Sequence, residues 1–432
     1  MNASRLSPRM IVAVVSLALL AGCGVLPLSL SKGQDDTQPA IAAPKVAPER
    51  SSSGYQIIYG FKPSPDGSGP AMTLLAFNGM LYGTTVAGGT HGYGTVFVVS
   101  PTGKERVLHS FQGSPDDGSE PYAGLVEIDG KLYGTTKYGG IGGEGTFSGT
   151  VFEMTTSGNE RVLHNFTGAP DGSEPLAALT VANGALLGTT SEGGSYTCEP
   201  SSGDGNGCGT VFKVTLSAKE TILHRFQGVA RDGSAPVAPL LAVGNEFYGT
   251  TSFGGTDNIG TIYEISAAGK EHIIHSFTGF PDSGSNTPDG KVPLDGLIIR
   301  QGILYGTTVG GGAGCFGYGC GTLFKVRTGE ERVIYYYNSG EDYGWYPSTS
   351  VLAVNGSLYG TAERPDDGTV FEIRPSGKRP HLLHTFTGGA DGSDPNGLTL
   401  LNGELYGTTS RAGNCDYHND SGCGTVFRIA PR

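Results

Sequence analysis

The sequence predicts an all-β fold, a seven-bladed β-propeller of four-stranded antiparallel blades, and three observations carry that prediction. A set of short motifs recurs seven times, the repeated segments are apolar on both faces, and the two chain ends hold complementary parts of one repeat. Each repeat contains a Leu-Tyr-Gly-Thr-Thr-like segment, then a Gly-Thr-Val-Phe-like segment, then a Val-Leu-His-Ser-Phe-like segment. The glycine of the first segment falls at Gly83, Gly134, Gly188, Gly249, Gly306, Gly360 and Gly407, a period of 47 to 61 residues. Periods of this size belong to stacked or circular arrays.

In the second repeat the strands are expected over Tyr122 to Ile128, Leu132 to Lys137, Gly149 to Thr155 and Glu160 to Phe166. Asp129-Gly130 and Ser157-Gly158 supply tight hairpin turns, so the four strands form an antiparallel meander. Segments such as Thr150-Val-Phe-Glu-Met154 carry apolar groups on both faces and need cover on both sides. Blades packed face to face around an axis provide it. The first ordered segment, 55–61, reads as a fourth strand, while the last, 424–429, reads as a third strand with nothing after it. Pairing of these two segments would complete the seventh blade and close the ring, leaving no end face to cap.

Outside the repeats the chain divides simply. Residues 1–23 hold Arg5 and Arg9, an apolar run from Met10 to Leu20, and Leu20-Ala21-Gly22-Cys23. The run is too short to span a bilayer and reads as an export signal. Leu-Ala-Gly-Cys resembles the bacterial lipobox, which implies lipid attachment at Cys23, and Gly24 in place of Asp implies the outer membrane. Acyl chains anchor through burial of their methylenes. Residues 24–53, rich in Pro, Ala, Ser and Gln, are expected to be a disordered tether, and 54–432 is the propeller. There are 73 glycines in 432 residues, matching many tight turns, and the formal charge of −12 is spread without a basic patch. Nucleic acid is therefore excluded as an expected partner.

Besides Cys23, six cysteines fall in three pairs: Cys198 with Cys208, Cys315 with Cys320, and Cys415 with Cys423. The second of each pair precedes the glycine of a Gly-Thr-Val/Leu-Phe segment. In an exported protein such pairs predict disulfides closed within each loop. Their nine, four and seven intervening residues do not match a zinc ribbon.

Leu-Tyr-Gly-Thr-Thr, Gly-Gly and Gly-Thr-Val-Phe, clearest over 81–97 and 405–427, resemble the GloVer tandem repeat of choice-of-anchor bacterial surface proteins. The resemblance covers essentially the whole folded part and implies varied surface anchors, with no activity to carry over. Leu187 for Tyr, Ala362 for Thr, and Tyr335-Tyr336-Tyr337 depart from the pattern and leave the fifth and sixth blades least regular.

In a meander the connections from strand two to three and from strand four to the next blade share one end. These connections hold the length variation and all three cysteine pairs, so binding is expected there. Asp66, Asp117, Asp171, Asp232, Asp289 and Asp391 each begin an Asp-Gly-x-x-Pro loop. Turn capping by Asp, positive φ at Gly and strand entry at Pro account for the pattern, against a ring of calcium or sugar ligands. The histidines of Leu-His-x-Phe (His109, His164, His224, His275, His384) lie on different blades and exchange with Tyr59 and Tyr335, which points to a hydrogen-bonding ring rather than catalysis. The glycine of Tyr-Gly-Thr-Thr is read as close packing between blades.

Three features break the symmetry. Glu341, Asp342, Tyr343, Trp345 and Tyr346, with the only Trp of the chain, are the candidate ligand site, because aromatic faces beside carboxylates suit sugars; filling space beside Tyr335 is the alternative for Trp345. Asp416, His418 and Asp420, and the insertion from Pro281 to Lys291 with Asp282, Asn286 and Asp289, are weaker cation candidates. The sequence thus predicts a monomeric, lipid-anchored envelope propeller presenting a binding face to a glycan, peptide or protein, with no catalytic residue, metal or cofactor assigned. A carbohydrate-active enzyme using acids such as Glu192, Glu341, Asp342 or Glu363 is the alternative; a structural envelope component is the second.

Overall fold

The computed structural model describes residues 54–141, 148–195, 198, 207–228, 232–279, 289–312, 315, 319–327, 330–338, 344–347, 349–364, 367–377, 379–413 and 423–432. Cys23, the tether, Glu341, Asp342, Tyr343, Cys415, Asp416, His418, Asp420, Asp282 and Asn286 lie outside the described residues.

Seven antiparallel sheets follow one another along the chain. The first blade comprises Gly67–Phe77, Met80–Gly88, Thr95–Val99 and Glu105–Ser110, and the second Val126–Ile128, Lys131–Thr136, Thr150–Thr155 and Glu160–Asn165. Four more repeat this order. The seventh joins Thr399–Leu401, Glu404–Arg411 and Thr425–Ile429 to Gln56–Gly60 from the other chain end. Gln56 pairs with Arg428, Ile57 with Phe427, and Tyr59 with Val426. Closure is therefore by strand pairing, as the ends of the sequence predict. First strands of adjoining blades touch one another, which places them innermost.

The motifs explain how the ring is held. Phe111, at the end of one blade's fourth strand, lies edge-on to Phe152 of the next blade at 5.3 Å. The same contact joins Phe61 to Phe97, Phe166 to Phe212, Phe226 to Tyr263, Phe277 to Phe324, Tyr337 to Phe371 and Phe386 to Phe427, at 5.0 to 5.8 Å. Each ring buries about 1.5–3 kcal/mol of transfer free energy, and edge-to-face geometry adds about 0.5–1.5 kcal/mol. The two threonines divide their work. Thr84 donates across the seam to the Ala123 carbonyl, whereas Thr85 stays in its blade and bonds Thr95 at 2.8 Å. The first strand begins at Val126 instead of Tyr122 because the preceding carbonyls serve this seam rather than the ladder.

The glycine of Tyr-Gly-Thr-Thr acts within its blade, which corrects the expectation of packing between blades. A Cβ at Gly134 would sit 2.6 Å from the Phe152 ring and 2.9 Å from Leu125. Gly134 is directly opposite Phe152 in the sheet, so the aromatic ring covers its bare backbone. Cys198–Cys208 and Cys315–Cys320 are disulfides, and Cys423 is disulfide-bonded.

At the rim the Asp of Asp-Gly-x-x-Pro is a latch. Asp117 accepts the Gly118 amide at 2.7 Å, the Gln112 amide at 2.9 Å and His109 Nε2 at 3.0 Å. Asp66 repeats this with Gly67, Lys62 and the Tyr59 hydroxyl, which is why Tyr replaces His there without disturbing the blade. In five of the six loops the following glycine is required by space rather than by positive φ, since a Cβ at Gly118 would lie 2.3 Å from Thr136; Gly392, with φ of 94°, is the exception.

Candidate functional site

Positive φ falls instead on the residue before proline. Gly69, Glu120, Glu174, Ala235, Val292, Tyr346 and Asp394 all have φ between 52° and 64°. Hydrogen bonds hold this residue in place. The Glu174 amide donates to Ser148 O, and the Glu174 carbonyl accepts from the Ser191 amide; Tyr346 does the same between Cys320 O and the Glu363 amide. Left-handed backbone costs a non-glycine residue roughly 1–3 kcal/mol unless its surroundings impose it. Here the seams impose it seven times, on residues as different as Gly69, Glu120, Ala235, Val292 and Tyr346.

That contrast locates the site. The residues before proline, together with the two residues following the Thr-Thr position, come from the two sets of loops that share one end of the ring. In the fourth and fifth blades these positions hold Ala235, Ser252, Phe253, Val292, Val309 and Gly310, and the backbone forms as well as elsewhere. In the second and third blades they hold Glu120, Lys137, Tyr138, Glu174, Ser191 and Glu192; in the sixth and seventh, Tyr346, Glu363, Arg364, Asp394, Ser410 and Arg411. At these positions charge is thus confined to two arcs of the mouth, where the fold does not ask for it.

In the first arc Lys137, Glu174 and Glu192 are 3%, 4% and 2% exposed. The Lys137 ammonium lies 4.4 Å from the centre of the Tyr138 ring and 5.3 Å from that of Tyr122, both within the range of cation–π attraction. Burial lowers the Lys137 pKa, while Glu174, Glu120 and Glu192 act against that shift. Burial raises Glu120, with Lys137 opposing. Burial raises the Tyr138 hydroxyl above its usual range, followed by Glu174 and Glu120. Three carboxylates around one ammonium leave an acid-rich centre with aromatic walls. Burying charges costs several kcal/mol per ion before pairing, so a fold that manages with Ala and Ser next door has no architectural need of it.

The second arc contains the part of the predicted site that is described. Trp345 and Tyr346 rings lie 4.8 Å apart at 49°. Trp345 exchanges backbone hydrogen bonds with Arg364 at 2.7 and 3.2 Å. Its ring is half-buried against the cluster that includes Tyr337, Phe371 and the Cys315–Cys320 disulfide, with Tyr335 packed on the same cluster. Trp345 therefore fills space beside the altered strand and also borders the mouth. Asp394 meets Arg411 at 3.4 Å. Burial raises the Asp394 carboxyl, with Arg411 and Arg364 opposing; burial lowers Arg411, with Asp394 and Glu363 opposing. Burial also raises the Tyr346 hydroxyl, with Arg364 opposing and Glu363 adding to the rise.

Of the acids named from sequence, Glu192 sits in the first arc and Glu363 in the second. Asp289 is a rim latch to His275 at 3.0 Å. Glu120, Glu174, Lys137 and Arg411 are the residues that sequence reading missed. Their signal was present as the variable residue before proline and the variable pair after Thr-Thr. A groove of about 350 Å³ between the fourth and fifth blades, bordered by Tyr248, Glu264, His272 and Leu304, contains none of them.

The model of the Gloeobacter/Verrucomicrobia repeat matches residues 45–198 and 196–427. No curated protein matches the chain. Among solved structures it is similar to the computationally designed Ika8 protein, at 16% identity over 87% of this chain and 100% of that one, with a TM-score of 0.45. It is also similar to a gluconolactonase from Xanthomonas campestris, at 13% identity over 66% and 83%, TM-score 0.37, and to TolB from Acinetobacter baumannii, at 14% over 70% and 63%, TM-score 0.40.

Proposed function

The chain belongs to the Gloeobacter/Verrucomicrobia repeat family, and from that premise we propose that its ring is a scaffold whose mouth binds a glycan at the two charged arcs. The observation that carries this reading is the same left-handed backbone built in all seven blades, with charged side chains at these positions in only two arcs, mostly buried in the first and half-buried or exposed beside aromatic rings in the second. Sugar hydroxyls both donate and accept, so carboxylates, an ammonium and guanidinium groups together suit them. Tyr122, Tyr138, Trp345 and Tyr346 offer faces for ring C–H groups. In this reading Cys23 carries the lipid, residues 24–53 tether a monomeric propeller to the outer membrane, and the mouth meets its ligand away from the bilayer.

The test uses substitutions that copy what another blade already holds at the same position. Lys137→Ser copies Ser191 and Ser252, and Tyr346→Gly copies Gly69. On an array of neutral and acidic oligosaccharides the wild-type full chain is expected to be retained, and each variant to lose at least tenfold in retention while unfolding as a ring of normal stability. Retention unchanged in both variants overturns the proposal.

A second reading, cleavage of a glycan, draws on the first arc. There Glu120 of the second blade and Glu174 and Glu192 of the third surround Lys137, whose pKa burial lowers. Two carboxylates of this kind are what glycoside hydrolysis uses. Release of reducing ends from an oligosaccharide that the array retains, abolished by Glu174→Gln with retention kept, distinguishes cleavage from binding alone.

A further inference from the structure

The rim latches carry a third arm that sequence spacing hides. Four residues before four of the five histidines of Leu-His-x-Phe, all but His384, stands a glutamate, Glu160 in the second blade, and this side chain reaches back to the preceding blade's latch. His109, Asp117 and Glu160 each present a ligand atom within 4.8 Å of the others, and so do His164, Asp171 and Glu220; His224, Asp232 and Glu271; and His275, Asp289 and Glu331. In all four the glutamate Oε1 is sealed from solvent and has no hydrogen-bond partner. A sealed carboxylate oxygen without a donor is costly. Its repetition at one atom of one position, five times with Glu105 of the first blade included, makes it a property of the seam rather than an accident of one loop, and a histidine and an aspartate join it in four of the five.

We propose that these four seams each bind a divalent transition metal, with zinc as the fitting ion. One imidazole and two carboxylates are borderline ligands that suit zinc. Calcium would want six to eight oxygens and no imidazole. Ligand atoms about 2.05 Å from a tetrahedral zinc lie about 3.3 Å apart. The His Nε2 to Asp oxygen separations are 3.0, 3.2, 3.4 and 3.0 Å, so two arms are already placed and the glutamate closes the third. The ion takes the place of the proton held between the histidine nitrogen and the aspartate oxygen, and that proton goes to solvent together with the one on the glutamate wherever the glutamate is protonated. No electron is transferred. Water completes the fourth position at the half-buried rim.

The remaining seams are internal controls. Tyr59 stands in the histidine position beside Asp66 and Glu105, so the sealed Glu105 Oε1 there faces a phenol instead of an imidazole. Tyr55 stands in the glutamate position and stacks on His384 at 3.6 Å. Tyr335 and Pro380 occupy the two positions between the fifth and sixth blades.

The test titrates the purified full chain, disulfides intact and metal stripped, with zinc chloride against a micromolar chromophoric chelator. Four equivalents are expected at the seams. Glu160→Gln should remove one, Glu105→Gln none, and Tyr59→His should add one, a gain that a misfolded variant could not give. X-ray absorption should report one nitrogen and two carboxylate ligands per bound ion. No zinc held against the chelator, or a count that neither Glu160→Gln nor Tyr59→His changes, overturns the proposal, as does any change with Glu105→Gln.

Discussion

The rim and the mouth of this ring repeat themselves in opposite ways. At the rim the chemistry recurs: Asp latches a turn, a histidine or tyrosine ring bonds it, and an aromatic edge meets the next blade. At the mouth only the backbone recurs in every blade, and the side chains range from Gly69 and Ala235 to Glu120 and Tyr346. Residues that all blades share are those the ring needs in order to close. Residues that differ on a constant backbone are free to serve something else.

That division can be broken at several strengths. The largest loss is expected from Phe111→Ala, which empties a fully buried site and removes its contact with Phe152. About 3–5 kcal/mol should be lost in denaturant unfolding. A smaller loss, about 1–3 kcal/mol, is expected from His164→Ala, which withdraws the ring from Asp171 and its edge-on contact with Phe166. If either variant unfolds like the wild type, the rim is not what holds the ring.

The rim also sets an expectation for pH in the metal-free protein. Burial, then a neighbouring Asp, pushes Glu105, Glu160 and Glu271 up to about 7, and Glu331 up to about 8. A carboxyl whose pKa is raised by folding favours the folded state when protonated. Its contribution is complete below the unfolded value of 4.5 and is lost as pH climbs through 7 to 8. Melting temperature in EDTA should therefore fall between pH 5 and 8.5, and the fall should be shallower in Glu160→Gln. A melting temperature that rises over this range contradicts the assignment.

The smallest effect belongs to the mouth. Tyr346→Gly removes a ring from a left-handed position that Gly69 already fills in another blade. Relief of backbone strain offsets the lost packing, and stability should change by less than about 1 kcal/mol. A larger loss would move Tyr346 to the architectural side of the comparison.

The same division explains what the sequence could and could not reveal. The blade count, ring closure by 55–61 on 424–429, and the disulfides Cys198–Cys208 and Cys315–Cys320 follow from motifs that recur or sit close together. The Asp latch was legible too, because Asp117 and its amide partners lie within six residues. Glu160 was not, since it reaches His109 only after the chain has built most of another blade. Positive φ was assigned to the conspicuous glycine after Asp, which holds for Gly392 alone; Gly118 is excluded from bearing a side chain by Thr136, and the strained residue is the inconspicuous one before proline. Trp345 drew attention as a unique residue; Lys137 did not, because one lysine in a loop carries no mark of burial until the blades surround it.

Asp117 and Glu120 stand three residues apart in one loop, one on each side of the division. Paired unfolding and oligosaccharide-array measurements on Asp117→Ala and Glu120→Ala test the account most directly. Asp117→Ala should lose about 1–3 kcal/mol through its orphaned amides and keep ligand retention, while Glu120→Ala, which copies Ala235, should keep stability and lose retention. Equal destabilisation by the two, with retention untouched in Glu120→Ala, would show that the mouth is scaffold like the rim.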